Sequence, residues 1–187
     1  MKKALCLTFV LALAGAVAAR PALAQEHAHA DAKPAGSTLK AEILRNLGDA
    51  EKKLLALADA TPAEKYTWRP SDKVRSTGEV FMHVAGGNYF LPTLFGTKVP
   101  DGVNPREFDK DAGDKAKVID TLKKSFDHAR QVIDGASDAD LEKATKVFDH
   151  DGTVREVMLA MVSHAHEHLG QSIAYARMNG IVPPWSS

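Results

Sequence analysis

Apolar residues recur every three to four positions in four separate stretches of the chain, which is the spacing of one face of an α-helix. These stretches begin near residues 38, 76, 118 and 154, and the segments between them are rich in proline, glycine and charged residues. None shows the strict alternation of a half-buried β-strand, and no internal repeat is visible. The pattern therefore predicts an all-α fold, a four-helix bundle with long crossover loops.

Two of the predicted helices have a recognisable first turn. Ser76 and Glu79 have the spacing of a capping box, in which the hydroxyl and the carboxylate each accept a hydrogen bond from a free backbone N–H group. Thr153 and Glu156 have the same spacing. We therefore expect the second helix to begin at Ser76 and the fourth to begin at Val154, directly after Thr153.

Helix-breaking residues predict where these two helices end. The second helix should run to about Phe95, with a kink at Pro92, because proline cannot donate the helical hydrogen bond. The fourth should run to about Asn179, where Gly180 and two prolines follow. Residues 137–152, which connect the third helix to the fourth, are predicted to form a loop with one helical turn.

The first 24 residues have the layout of a secretory signal peptide. Lys2 and Lys3 form a basic start, a 16-residue apolar run follows, and Ala22 and Ala24 frame a cleavage site. The apolar run is shorter than the roughly 18 residues of a membrane-spanning helix, so a retained membrane anchor is the weaker interpretation. We therefore expect residues 1–24 to direct export, to the periplasm or to the medium, and to be removed.

Cleavage after Ala24 would leave a flexible, histidine-containing leader, residues 25–37, and one domain, residues 38–187. It would reduce the basic residues from 24 to 21 against 24 acidic ones, which is a formal charge of −3. This charge argues against a nucleic-acid-binding protein, and no membrane contact is expected after cleavage. The single cysteine, Cys6, lies in the signal, so a metal ion in the mature protein would need imidazole or oxygen ligands.

The segment HAHEHLGQ, residues 164–171, places three histidines at alternate positions of the fourth helix. Since successive helical residues are about 100° apart, His164 and His168 share one face, whereas His166 points away. Two imidazoles separated by four residues can bind one metal ion together. A solvated pair, or a pair whose nitrogens bind groups in the core, is the alternative explanation of the same spacing.

His83 in the second helix is the candidate third ligand. It lies in one helical sector with Val80, Gly87 and Leu94, which places its imidazole on the inward face. A buried imidazole needs partners for its nitrogens. Gly86 and Gly87 follow one turn later, and their lack of side chains would let another helix approach or would leave room for a ligand.

Other polar and aromatic residues have positions near this predicted site. Gln171 shares the face of His168 and could contact its imidazole or a substrate. Glu79, one turn before His83, is the nearest candidate general base, although its capping role is the simpler explanation. Four further side chains could border a pocket or simply pack in the bundle: Trp68, Asn88, Tyr89 and Tyr175. The remaining histidines are expected to lie outside the site: His27, His29, His128 and His150.

Two segments resemble the DinB/YfiT-like superfamily of four-helix-bundle metalloproteins. They are WRPSDKVRSTGEVFMHVAGGNYFL, residues 68–91, and HAHEHLGQSIAYARMNGIVPP, residues 164–184. The resemblance extends over residues 38–185, and it implies a divalent metal held by one histidine of the second helix and two of the last. The corresponding residues of this chain are His83, His164 and His168. The activities that the resemblance implies include thiol-dependent transfer and maleylpyruvate isomerisation.

Three imidazoles would leave open positions on a bound ion, which is typical of catalytic zinc sites. Zinc is the expected metal, and nickel, iron, copper and manganese are also compatible with these ligands. The first hypothesis is a metal-dependent hydrolase or small-group transferase, with a cavity for an unknown small molecule between the second and fourth helices. The alternative is a periplasmic metal-binding or stress-related protein without turnover, which the missing general base and the histidine-bearing leader favour.

A second apolar strip on the fourth helix leaves the oligomeric state open. The strip consists of Met158, Val162, Leu169 and Ile173. Such a strip fits either packing within the bundle or the contact face of a homodimer.

Overall fold

The computed structural model of the protein describes residues 38–186, and the predicted signal peptide and leader lie outside them. Within this range the chain is mostly helical, as predicted, with one small two-stranded sheet. The elements in chain order are α1 (Leu39–Ala60), α2 (Thr77–Phe90), α3 (Lys115–Gly135), α4 (Asp138–Leu141), β1 (Ala144–Val147), β2 (His150–Thr153) and α5 (Val154–Met178).

The four long helices form a bundle in which α1 and α2 each pack against α3 and α5. Leu47 and Leu54 of α1, Leu122 and Phe126 of α3, and Met161 of α5 are fully buried at its centre. Burying one such side chain contributes about 1.5–3 kcal/mol relative to leaving it in water. The packing makes α2 and α5 neighbours, which brings the two histidine-bearing helices together.

One predicted capping box is complete and the other is only half formed. Ser76 Oγ accepts a hydrogen bond from Glu79 N, and Glu79 Oε2 accepts one from Ser76 N at 2.6 Å. At the start of α5, Thr153 Oγ1 accepts from Glu156 N as predicted. The Glu156 carboxylate, however, lies 2.6 Å from His150 Nε2, because the strand that precedes the cap brings this imidazole within reach.

The second helix changes its form at its end. It is α-helical to Phe90 and continues as a 3-10 helix over Leu91–Phe95. Pro92 has no N–H group for the helical ladder, which accounts for the predicted break. Gly96 then adopts a φ of +93°, a conformation that glycine accepts without steric cost, and it ends the segment.

The connector between α3 and α5 contains an antiparallel hairpin, so the prediction of no strand was wrong here. The predicted single helical turn is present as α4. After it, β1 pairs with β2 from Ala144↔Thr153 to Val147↔His150, which leaves Phe148 and Asp149 as the turn. Each strand has four residues, too few for a visible alternation, and the turn lacks the usual Asn-Gly or Asp-Gly pair. Asp151 and Gly152 lie within β2, in the segment predicted as a loop.

The second apolar strip of α5 packs within the bundle. Met158 and Leu169 are buried, and Val162 and Ile173 are partly buried against the same core. Among residues 38–186, no helix is both long enough and apolar enough to cross a membrane.

Candidate metal centre

The structure brings together the three histidines that the sequence singled out. His83 extends from α2, and His164 and His168 extend from the facing side of α5. One nitrogen of each imidazole lies within 4.8 Å of a nitrogen of both others. The three ring centroids are 4.6–4.9 Å apart, and the rings are steeply inclined to one another. This convergence of three imidazoles from two helices could hold a metal ion.

Gly87 allows this arrangement, because it leaves space for the ring of His164. A Cβ atom at position 87 would lie 2.3 Å from Cε1 and 2.7 Å from Nδ1 of that ring. Contacts so short are not tolerated, so any larger residue would displace the imidazole. A Cβ atom at Gly86 would meet nothing within 4 Å. The two glycines therefore have different roles: Gly87 permits close packing, and Gly86 borders open space.

A chain of hydrogen bonds orients His168. Its Nδ1 lies 2.8 Å from Gln171 Oε1, and Gln171 Nε2 donates to the Tyr175 hydroxyl at 3.0 Å. The Tyr175 ring is held in turn by an edge contact with Trp68. Because an amide oxygen can only accept, Nδ1 of His168 carries the proton and Nε2 keeps a free lone pair. A partner of this kind fixes the tautomer of a metal-binding histidine.

Burial keeps two of the imidazoles uncharged. It lowers the pKa of His83 to about 4, with smaller contributions from Arg75 and His168. It likewise lowers the pKa of His164 to about 4, and the nearby His168 and His83 add to this effect. Both rings are therefore neutral near pH 7, and a neutral imidazole is the form that binds a metal ion.

The separation of one pair of nitrogens is close to the separation that a shared metal ion requires. His83 Nε2 and His164 Nε2 are 3.2 Å apart, so one ring can donate a hydrogen bond to the other when no ion is bound. Two nitrogens that bind one tetrahedral ion at roughly 2.0–2.1 Å lie about 3.3–3.4 Å apart, which is nearly the same separation. His164 Nδ1 is buried and has no hydrogen-bond partner among the described residues.

A cavity of about 660 Å³ reaches the histidines, and both His83 and His164 form part of its wall. It is also bordered by Gly86 on α2 and by the Phe148 turn of the hairpin. Ligand-binding clefts typically have volumes of about 300–1,000 Å³, so this one could admit a small molecule. The wall includes Phe90, Arg106 and Phe148, which lie at the end of α2, in a short 3-10 helix and in the hairpin turn. Periodicity in the sequence did not reveal them.

The other residues considered from the sequence contribute less directly. Glu79 is bound to the backbone of Ser76 and to Arg69, so its carboxylate is engaged in helix capping and an ion pair. Asn88 is buried and donates to Ser125 Oγ, and Tyr89 packs against Phe108, which confirms packing roles for both. Trp68 and Tyr175 pack too, but they also complete the hydrogen-bonded chain behind His168.

Three histidines lie apart from the cluster, as predicted. His166 is exposed and its Nδ1 lies near the carbonyl oxygen of Val162. His150 is exposed and contacts Glu156, and this contact raises its pKa. His128 is partly buried because its ring packs on Tyr89 at a centroid distance of 4.9 Å. This burial lowers the pKa of His128.

Solved structures of two DinB-like proteins are similar to this chain in fold. The Bacillus subtilis protein is 15% identical with a TM-score of 0.59, and the match covers 75% of this chain and 93% of that one. The Bacillus cereus protein is 17% identical with a TM-score of 0.58, and the match covers 76% of this chain and 93% of that one. A comparison with curated proteins found no significant match.

A family model also matches the sequence itself. The model of the DinB superfamily aligns with residues 46–172, which is more than half of the chain and includes His83, His164 and His168. The bundle, the agreement with two DinB-like folds and this match lead to one conclusion. The chain belongs to the DinB superfamily.

Proposed function

We propose that this protein binds a divalent metal ion through His83, His164 and His168 and acts on a small molecule as a metal-dependent hydrolase or small-group transferase. One observation carries the proposal: three imidazoles converge beside a cavity large enough for a substrate, and two of them, His83 and His164, form part of its wall. In a closed structural zinc site, by contrast, four protein residues would bind the ion.

Zinc is the metal that this donor set favours, and nickel, iron, copper and manganese also accept imidazole ligands. When bound, such an ion supplies Lewis acidity, which polarises a carbonyl group or lowers the pKa of a coordinated water. The chain's own residues prepare the site. Burial keeps His83 and His164 neutral, and Gln171 holds His168 in the tautomer that leaves Nε2 free.

A second candidate is a metal-binding or stress-related protein without turnover. The specific observation in its favour is the engagement of Glu79 by Ser76 and Arg69, which leaves that carboxylate with other partners. None of the residues that border the cavity is acidic, so a carboxylate base is also missing from its wall. Catalysis would then need a base from the substrate or an imidazole. Turnover of ester and thioester substrates by the zinc-loaded protein would separate the two candidates.

The metal is tested by elemental analysis and zinc titration of the protein purified without a histidine tag. We expect about one ion per chain. Zinc affinity should fall at least tenfold in each of the variants His83→Ala, His164→Ala and His168→Ala, because each variant lacks one of the three residues that bind the ion. His166→Ala is the matched control on the same helix and should bind like the unchanged protein. Equal losses in all four variants would contradict the proposed ligand set.

We also propose that the protein is exported, on the strength of the signal-like first 24 residues. Export would place the metal centre in the periplasm or in the medium. Some members of the DinB superfamily use cytosolic thiols, which would not be available there. The alternative function, a periplasmic metal-binding protein without turnover, requires the same export.

A further inference from the structure

The cavity beside the histidines has an uneven chemistry. Its wall is largely apolar, and the apolar residues come from the end of α2, the following loop and the hairpin turn: Phe90, Leu91, Val99, Pro105 and Phe148. Apart from the histidines, Arg106 is the one residue of this wall with an ionisable side chain. A ligand that matches such a cavity has an apolar body and a negative charge.

Phe148 is the most unusual residue in the wall. It occupies the first turn position between the paired residues Val147 and His150, where its φ is +54°. This left-handed backbone conformation favours glycine, asparagine or aspartate, and a bulky residue adopts it only at a cost. The residue is 62% exposed, so burial does not compensate for that cost. Neither the turn nor the core explains a phenylalanine here, whereas contact with a ligand does.

Phe90 presents a second exposed ring to the same cavity. It lies seven residues after His83, two helical turns further along the same side of α2, and the residue is 49% exposed. Exposed apolar surface grouped around a cavity is typical of a ligand-binding site. The two phenyl rings therefore favour a flat apolar group.

Arg106 supplies the charge. It is exposed at the start of the 3-10 helix Pro105–Asp111, and among the ion pairs of residues 38–186 none includes its guanidinium group. With no acidic residue in the wall, the guanidinium is available to a ligand anion. Arginine binds carboxylates through two parallel N–H donors, which gives both affinity and orientation.

We propose that the cavity binds small aromatic carboxylates, with the ring against Phe90 and Phe148 and the carboxylate on Arg106. In this orientation the ligand lies beside His83 and His164, which form part of the same wall. This inference rests on the proposed function, because it names the substrate class of the same site.

Phenylacetate is the probe, titrated by calorimetry into the metal-free and the zinc-loaded protein. Phenylacetamide lacks the charge and acetate lacks the ring, so each should bind at least about tenfold more weakly. Arg106→Gln should weaken phenylacetate binding about tenfold. Arg45→Gln, an equal change of charge at an exposed position of α1, is the control and should have no effect. An unchanged affinity in Arg106→Gln would overturn the assignment of the carboxylate.

Two substitutions of Phe148 separate a binding role from a structural one. Phe148→Gly removes the ring and the backbone strain, so it should lower phenylacetate affinity about tenfold while raising Tm by about 2–4 °C. Phe148→Leu removes the ring but keeps the strained backbone, so it should lower affinity without raising Tm. A fall in Tm together with the loss of binding in Phe148→Gly would show that the ring stabilises the fold, and it would overturn the proposal.

Zinc content, measured on the same samples, distinguishes this proposal from the one on which it rests. Arg106→Gln and Phe148→Gly should retain zinc, since neither residue offers a ligand to the cluster. Zinc binding without selectivity for phenylacetate would overturn the substrate class alone. Selective binding of phenylacetate by a protein that takes up neither zinc nor nickel, iron, copper or manganese would support the substrate class and contradict the metal-dependent function.

Discussion

At the scale of single residues, the site depends as much on a missing side chain as on the imidazoles. Gly86 and Gly87 are neighbours in α2, yet only Gly87 lies against a side chain of α5, the ring of His164. The identity of the residue at position 87 decides whether His164 can approach His83 to 3.2 Å. The residue-level requirement for the cluster is therefore three histidines and one glycine.

Alanine at each glycine tests this distinction. Gly87→Ala should lower zinc affinity at least tenfold, because the new Cβ would lie 2.3 Å from Cε1 of His164 and the ring must move. Overpacking of this kind typically costs about 1–3 kcal/mol of stability, partly offset by the better helix propensity of alanine. Gly86→Ala is the control: it should retain zinc and stabilise the fold by about 0.5–1 kcal/mol. Zinc titration and urea unfolding measure both effects, and identical behaviour of the two variants would contradict this account.

At the scale of elements, the pairing of α2 with α5 buries imidazoles that must stay neutral. Packing of the two helices lowers the pKa of His83 and of His164 to about 4, well below the ordinary value near 6.5. In the unfolded chain both rings take up a proton as the pH falls below about 6.5. Protonation therefore favours unfolding between about pH 6.5 and pH 4, and the contact between these helices is sensitive to acid.

The metal-free protein should lose stability over this pH range. From pH 7 to pH 5, the free energy of unfolding should fall by about 2 kcal/mol on account of this pair, after a discount for solvent screening. The His83→Gln/His164→Gln double variant lacks both titrating groups and should show a fall smaller by that amount. Urea unfolding at the two pH values measures the difference. Parallel pH profiles of the two proteins would show that these histidines do not titrate as described.

At the scale of the whole molecule, the described bundle is one part of the chain and the first 37 residues are another. The signal-like segment carries three of the 24 basic residues, so its removal would leave a protein with a formal charge of −3. The proposal of export therefore has two parts: the metal centre acts outside the cytoplasm, and the functional protein is the mature chain without residues 1–24.

Expression of the full chain in a bacterial host tests export. We expect the protein in the periplasm or the medium, with a mature form that begins at Gln25. Ala22→Leu/Ala24→Leu should accumulate as the precursor, because signal cleavage needs small residues at these positions. Cell fractionation and N-terminal mass spectrometry provide the measurement. A cytoplasmic protein that retains residues 1–24 would contradict the proposal.

The sequence determined the helices and the three histidines, because both follow from short-range geometry. An apolar residue every three or four positions describes one helical face, and a separation of four residues places His164 above His168 whatever the rest of the chain does. The cap at Ser76 and the break at Pro92 are also local, since each depends on backbone groups a few residues away.

Only the tertiary structure decided which helices are neighbours and what surrounds the histidines. The pairing of α2 with α5 and the cavity wall of Phe90, Arg106 and Phe148 join residues that are far apart in the chain. The hairpin between α3 and α5 is local, but its four-residue strands are too short for periodicity to mark them. Glu156 shows a more local limit, because His150, six residues away on the adjacent strand, contacts the carboxylate that the capping pattern assigned to the helix. The contacts between distant residues, by contrast, arise from the packing free energy of the whole bundle, and hydrophobic periodicity within one helix does not indicate them.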